Sequence, residues 1–136
     1  MYLKHRALRS QTIVDGTLQL LDTKDKWIQA DEALDEFGNR VEGYSPVATC
    51  WCLDGAFTYI AYQEGFLQEE ADKRDLDFTC PENIMEIWEP IQRELEALLE
   101  TFLPRGRNYI EFNDHPDTTY QEVIELLKAG SEVYYR

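Results

Sequence analysis

Disulfides, metals and membranes have little to work with in this chain. Its three cysteines, Cys50, Cys52 and Cys80, are an odd number and build no disulfide framework. Histidines number two, and Cys50-x-Cys52 lacks the wider spacing of a zinc knuckle and has no second pair after it. On a helix those two positions point about 200° apart. Asp72-x-x-Asp75-x-Asp77 has neither the spacing nor the glycine of a calcium loop. No metal site and no cofactor are therefore expected. No apolar run approaches the ~18–20 residues that cross a bilayer, and the basic stretch Met1 to Arg6 is not followed by the apolar core of a signal peptide. A cytoplasmic protein without membrane contact is expected.

Positive charge is also scarce. Thirteen Lys and Arg face 27 Asp and Glu, for a net charge of −14 and a pI near 4.4. Affinity for a polyphosphate backbone comes from counterion release at a basic surface, so direct nucleic-acid binding is not expected. A protein partner is compatible with this charge. Five prolines and seven glycines form no linker, and no repeat appears. Residues 1–136 are expected to form a single globular domain.

What is present suits a packed core. Hydrophobic residues make up 43% of the 136, and a chain of this length buries roughly two-thirds of its unfolded surface. Ile13, Val14, Leu18 and Leu21 predict a first helix over about Ser10 to Leu21, with Ser10 as its cap and Gly16 as a weak point. Trp27-Ile28-Gln29-Ala30 reads as extended, and Glu36 to Val41 as a turn between short strands. Ser45-Pro46 has the form of a helix start, predicting a second helix through Trp51, Ala56 and Ile60 to Gly65. Gly55-Ala56 within it predicts a close backbone contact. Residues 66–78 read as a polar loop or frayed helix end.

The strongest periodicity is Ile84, Ile87, Ile91, Leu95, Leu98 and Phe102, a third helix opened by Thr79-Cys80-Pro81-Glu82 as a capping box and stopped by Pro104. Pro90 predicts a kink or break near Glu89. Asn108-Tyr109-Ile110-Glu111-Phe112 alternates like a strand, and residues 113–117 read as a turn. Thr119-x-x-Glu122 opens a fourth helix that closes at Gly130. The expected fold is α+β and mostly helical, with about four helices and a short strand or small hairpin sheet.

Two segments carry a resemblance. Trp51-Cys52-Leu53-Asp54-Gly55-Ala56 is similar to a W-C-x-x-G-A motif. Asn113-Asp114 followed by Thr119-x-x-Glu122-Val123 is similar to an N-D…T-x-x-E-V motif, with Trp27 and Gly38 fitting an upstream pattern more loosely. In this order they resemble a domain-of-unknown-function family of small bacterial and phage proteins, across about residues 10 to 130. The chain departs from that pattern in a longer acidic stretch over 65–104 and in Thr118, where the pattern has arginine. The resemblance implies a fold and a genomic setting; it implies no reaction.

Three functions are expected to compete. Residues 51–103 carry thirteen acids against three bases, and Glu86, Glu89, Glu96 and Glu100 share the polar face of the third helix. The first reading is a non-enzymatic acidic interaction protein, such as a phage or mobile-element inhibitor that binds a basic, nucleic-acid-handling host protein in place of nucleic acid. The plainer account of those glutamates is a solvated helix face. The second reading is a nucleotide or metabolite binder with a pocket between Trp51-Cys52 and Asn113-Asp114. Its plainer counterpart is an Asx-turn at Asn113-Asp114 that satisfies backbone groups. The third is a cysteine hydrolase pairing Cys52 with His115, against which stands the ordinary burial of cysteine in cores. Tyr134 and Tyr135 read as interface aromatics.

Overall fold

The computed structural model describes residues 8–133; the basic stretch Met1 to Arg6, Tyr134 and Tyr135 lie outside them. Six α-helices and a three-stranded antiparallel sheet make one α+β unit. They are α1 (Arg9–Leu20), β1 (Ala33–Leu34), β2 (Arg40–Val41), β3 (Cys50–Trp51), α2 (Leu53–Gln63), α3 (Phe66–Lys73), α4 (Ile84–Leu99), α5 (Tyr109–Asp114) and α6 (Tyr120–Ser131). That is two helices more than the sequence predicts.

The core is helical. α1 packs on α6, α2 and α4, and α4 also meets α3 and α6. Ile13 and Val14 of α1, Phe57 of α2, Ile91 and Leu95 of α4 and Leu127 of α6 are fully buried there. Burying side chains of this size contributes about 1.5–3 kcal/mol each. α4 keeps the predicted apolar stripe and runs unbroken through Pro90. Its end differs: Leu99, four residues after Leu95, is buried while Leu98 is half-buried, and Phe102 is exposed where the last residues tighten into a 3-10 turn over Glu100–Phe102. That shortens the repeat from 3.6 to about 3 residues and moves Phe102 off the stripe.

Four local expectations are corrected. Ser10 is not a cap but a buried residue inside α1, which starts from Leu8 without side-chain capping. Thr79 does not cap α4; its N–H and hydroxyl both donate to Asp77, 2.9 and 2.7 Å away. Residues 66–73 are a true helix, α3. Asn108 to Phe112 is not a strand: Asn108 caps α5, its Oδ1 accepting the Glu111 N–H at 2.9 Å.

The Ser45-Pro46 start is corrected too, and this one shapes the site. Cys50 and Trp51 do not continue a helix; they pair with Leu34 and Ala33 as β3. β1 is the middle strand, with β2 on its other side in register Ala33↔Val41. Trp51 also bridges Trp27, so the predicted extended segment is seated on the edge of this sheet. α2 begins just after β3 and is aimed by it.

Candidate functional site

The start of α2 and the end of α5 meet beside the sheet, where Asn113 bonds the Leu53 N–H and Asp114 lies near Cys52; Trp51 is turned to the Gly43 loop instead. Cys52 is the cap of α2, its Sγ accepting the Gly55 N–H at 3.3 Å. Trp51 donates its indole N–H to the Gly43 carbonyl at 3.0 Å. Gly55 is obligatory where it stands: a Cβ there would overlap the backbone carbonyl of Glu32, and a Cβ at Gly43 would press on the Gly55 carbonyl. The tight contact predicted at Gly55-Ala56 exists, and it is a loop that makes it.

Asn113 is buried, and its side chain is spent. Oδ1 accepts from Trp27 Nε1 at 2.7 Å and from the Leu53 N–H at 3.0 Å. Nδ2 donates to the Ile28 carbonyl at 3.2 Å and to Asp114 Oδ1 at 2.9 Å. Asp114 Oδ1 in turn accepts the Ala30 N–H at 2.9 Å, where Ala30 sits at a positive φ of 76°. Gln29 Nε2 donates to the carbonyls of Asn113 and His115. This is a joint that fastens residues 27–30 and the start of α2 to the end of α5. Both motifs thus have structural work to do.

Sequence reasoning missed the group next to it. Asp54, in the first turn of α2, receives three donors on one oxygen: the Tyr109 hydroxyl at 2.6 Å, Trp88 Nε1 at 3.2 Å and Gln92 Nε2 at 3.3 Å. Burial pushes the Asp54 carboxyl above its ordinary value against these donors. Burial, with the Asp54 charge beside it, holds the Tyr109 phenol well above its own. Glu32, whose carboxylate accepts the Gly43 N–H, is likewise raised by burial. Donors from α4 and α5 converge on α2, which no spacing along the chain could reveal.

Cys52 is a poor nucleophile. It does stand at a helix N-terminus, a setting that favours thiolate, yet burial outweighs this and pushes its pKa up to about 12. His115 turns its Nδ1 to the backbone N–H of Asp117 at 3.1 Å. The acidic residues fall into two groups. Glu86 and Glu89 on α4 and Glu100 just past its end are exposed, whereas Glu96 is half-buried. At the position that departs from the motif, Thr118 donates its hydroxyl to the Phe112 carbonyl. An arginine still arrives there: Arg105 lies 3.1 Å from Thr118 Oγ1 and grips Glu122 through two bonds of 2.7 and 2.8 Å. No group of three or more His, Cys, Asp or Glu suited to a metal occurs among the described residues, and none of their helices is long and apolar enough to cross a membrane.

With the two motif segments placed at one joint, comparison with known families becomes decisive. A family model described as a family of unknown function, DUF6197, matches residues 6–132. The chain belongs to the DUF6197 family. The match takes in all six helices and the sheet. Neither the curated proteins nor the solved structures give a match.

Proposed function

We propose that this DUF6197 protein acts by binding a basic protein partner through an acidic surface, without chemistry of its own. The observation that supports this best is how its cations are used. Arg9, Arg40, Arg74, Arg93, Arg105 and Arg107 all sit in ion pairs, as do Lys26 and Lys73. Only Lys24 and Lys128 are outside such pairs among the described residues. The carboxylates left over include the exposed Glu86 on α4, with Glu82 just before that helix and Glu100 just after it, and Glu89 is matched only by its own neighbour Arg93. Glu82, Glu86 and Glu89 follow at steps of four and three residues, about 4.5–6 Å along a helix axis, with Glu100 eleven residues further on; this is sparser than the phosphates of one DNA strand at about 3.4 Å. Such a row attracts a basic groove and accelerates encounter at low salt. A nucleic-acid-handling protein, blocked by a phage or mobile-element product, is the partner this charge fits.

The test is capture of partners from host lysate at low salt, elution by a salt gradient, and repetition with Glu82, Glu86, Glu89 and Glu100 changed to Lys. Loss of a basic partner from the variant supports the proposal. Unchanged binding with unchanged salt dependence removes it. Glu96 is left out of the series because its half-buried position near Tyr109 couples it to the fold.

A further inference from the structure

Away from the joint, three aromatic rings from three parts of the chain meet at the surface. Tyr44 follows β2, Tyr62 lies in the last turn of α2, and Phe78 follows α3. Ring centroids are 5.8 Å apart for Tyr44 and Tyr62, 6.1 Å for Tyr44 and Phe78, and 5.8 Å for Tyr62 and Phe78. Tyr44 stands at 72° and 73° to the other two, which are tilted 35° from each other. The three rings therefore form a corner and not a stack. They line a cavity of about 400 Å³, with Pro46 completing the apolar wall and Glu42 at its edge. Tyr62 is 45% exposed.

We propose that Tyr44, Tyr62, Phe78 and Glu42 form a binding site for a small quaternary or alkylated ammonium ion. Aromatic faces carry the negative part of the ring quadrupole, and several faces around one cavity sum their attraction for a cation. A compact ammonium such as lysine's holds its water too firmly to enter an apolar corner, whereas an alkylated ammonium is weakly hydrated and fits both the charge and the wall. The exposed Glu42 carboxylate supplies the counter-charge. Burial above all, and after it the nearby Glu42 and Glu32 charges, raise the Tyr44 phenol. Among the described residues, the arginine-on-ring contact is Arg105 over Phe112, 5.9 Å from its centroid, and none is made to these three rings. A plain hydrophobic clasp holding residue 78 on α2 needs neither a cavity over the rings nor a carboxylate beside it.

The experiment is a two-dimensional amide NMR titration of the full chain with choline, with 3,3-dimethylbutan-1-ol as its neutral isostere and sodium chloride as an ionic-strength control. Choline should give saturable shifts clustered at residues 42–45, 62 and 78, at about ten-fold higher affinity than the alcohol. Phe78→Leu should abolish them. Glu42→Gln, at an exposed position where the fold is not at stake, should weaken them several-fold. Equal shifts with the alcohol would reduce the site to an apolar clasp and overturn the proposal. So would an absence of saturable shifts with choline, or choline shifts indifferent to Phe78→Leu and Glu42→Gln. The titration needs no protein partner, so its result is independent of the acidic-surface proposal.

Discussion

Asn113 Oδ1 lies 2.7 Å from the indole Nε1 of Trp27, 86 residues earlier in the chain. The same oxygen holds the first N–H of α2. A single amide thus sets where the sheet edge, α2 and α5 stand relative to one another. Asn113→Ala should leave the Trp27 and Leu53 donors and the Ile28 acceptor unpaired, costing about 2–4 kcal/mol. Urea denaturation should show a lower midpoint with an unchanged slope. A variant as stable as the wild type would mean the joint is dispensable.

Gly55→Ala replaces the poorest ordinary helix former with the best, which alone is worth about 1 kcal/mol in its favour. The opposite outcome is expected, because the added methyl meets backbone at the Glu32 carbonyl and no side-chain rotation relieves it. A melting temperature several degrees below wild type is the expected reading in a thermal scan.

Glu122 makes the sharpest acid dependence. Its hydrogen bonds from Arg105, helped by the Thr119 N–H of the α6 capping box, lower its carboxyl to about 2 from an ordinary 4.5. A folded-state pKa below the unfolded one adds stability above about 4.5 that is lost as pH falls through about 2. The stability gap between wild type and Glu122→Gln, followed by urea titration at several pH values, should therefore narrow across that window. A gap constant with pH would show that Arg105 contributes no charge-dependent stability there.

Asp54 has the reverse sign. Its raised carboxyl favours the protonated folded state, a contribution present below the ordinary value of 3.8 and lost as pH rises through the raised one. Asp54→Asn keeps an acceptor for Tyr109, Trp88 and Gln92 without the charge. Its stability relative to wild type should climb from acid to neutral pH. A relative stability that falls with pH would show that the three donors outweigh burial.

Cys52, with its thiol pushed up to about 12, should react with iodoacetamide at neutral pH far more slowly than in the urea-unfolded chain. Peptide mapping after timed alkylation reads this directly. Faster labelling in the folded protein would return the cysteine to consideration as a nucleophile.

The parts of the fold written locally were legible. Thr119 and Glu122 cap α6 reciprocally, as their three-residue spacing predicts, and the Ile87-Ile91-Leu95 stripe is buried as its period requires. α5 was not legible, because six residues are too few to separate a helical period from alternation. The Ser45-Pro46 signal was overruled from a distance: β1 claims Cys50 and Trp51 for the sheet, so the helix cannot begin until Leu53. At the site, both motif segments were visible, but their meaning lay in partners 60 to 86 residues away. Asp54 carried no signal at all, since its donors come from α4 and α5. Burial, which sets the Cys52 thiol, is likewise a property of the assembled fold.

α1 and α6 run antiparallel, with the Tyr120 hydroxyl on the Leu21 carbonyl at one end and Gly130 against Val14 near the other. During synthesis, residues 9–20 therefore leave the ribosome about a hundred residues before the surface that covers them. At roughly 5–20 residues per second, the part of the first helix that α6 covers waits about 5–20 seconds for it. A chain interrupted before residue 120 leaves that part of α1 uncovered.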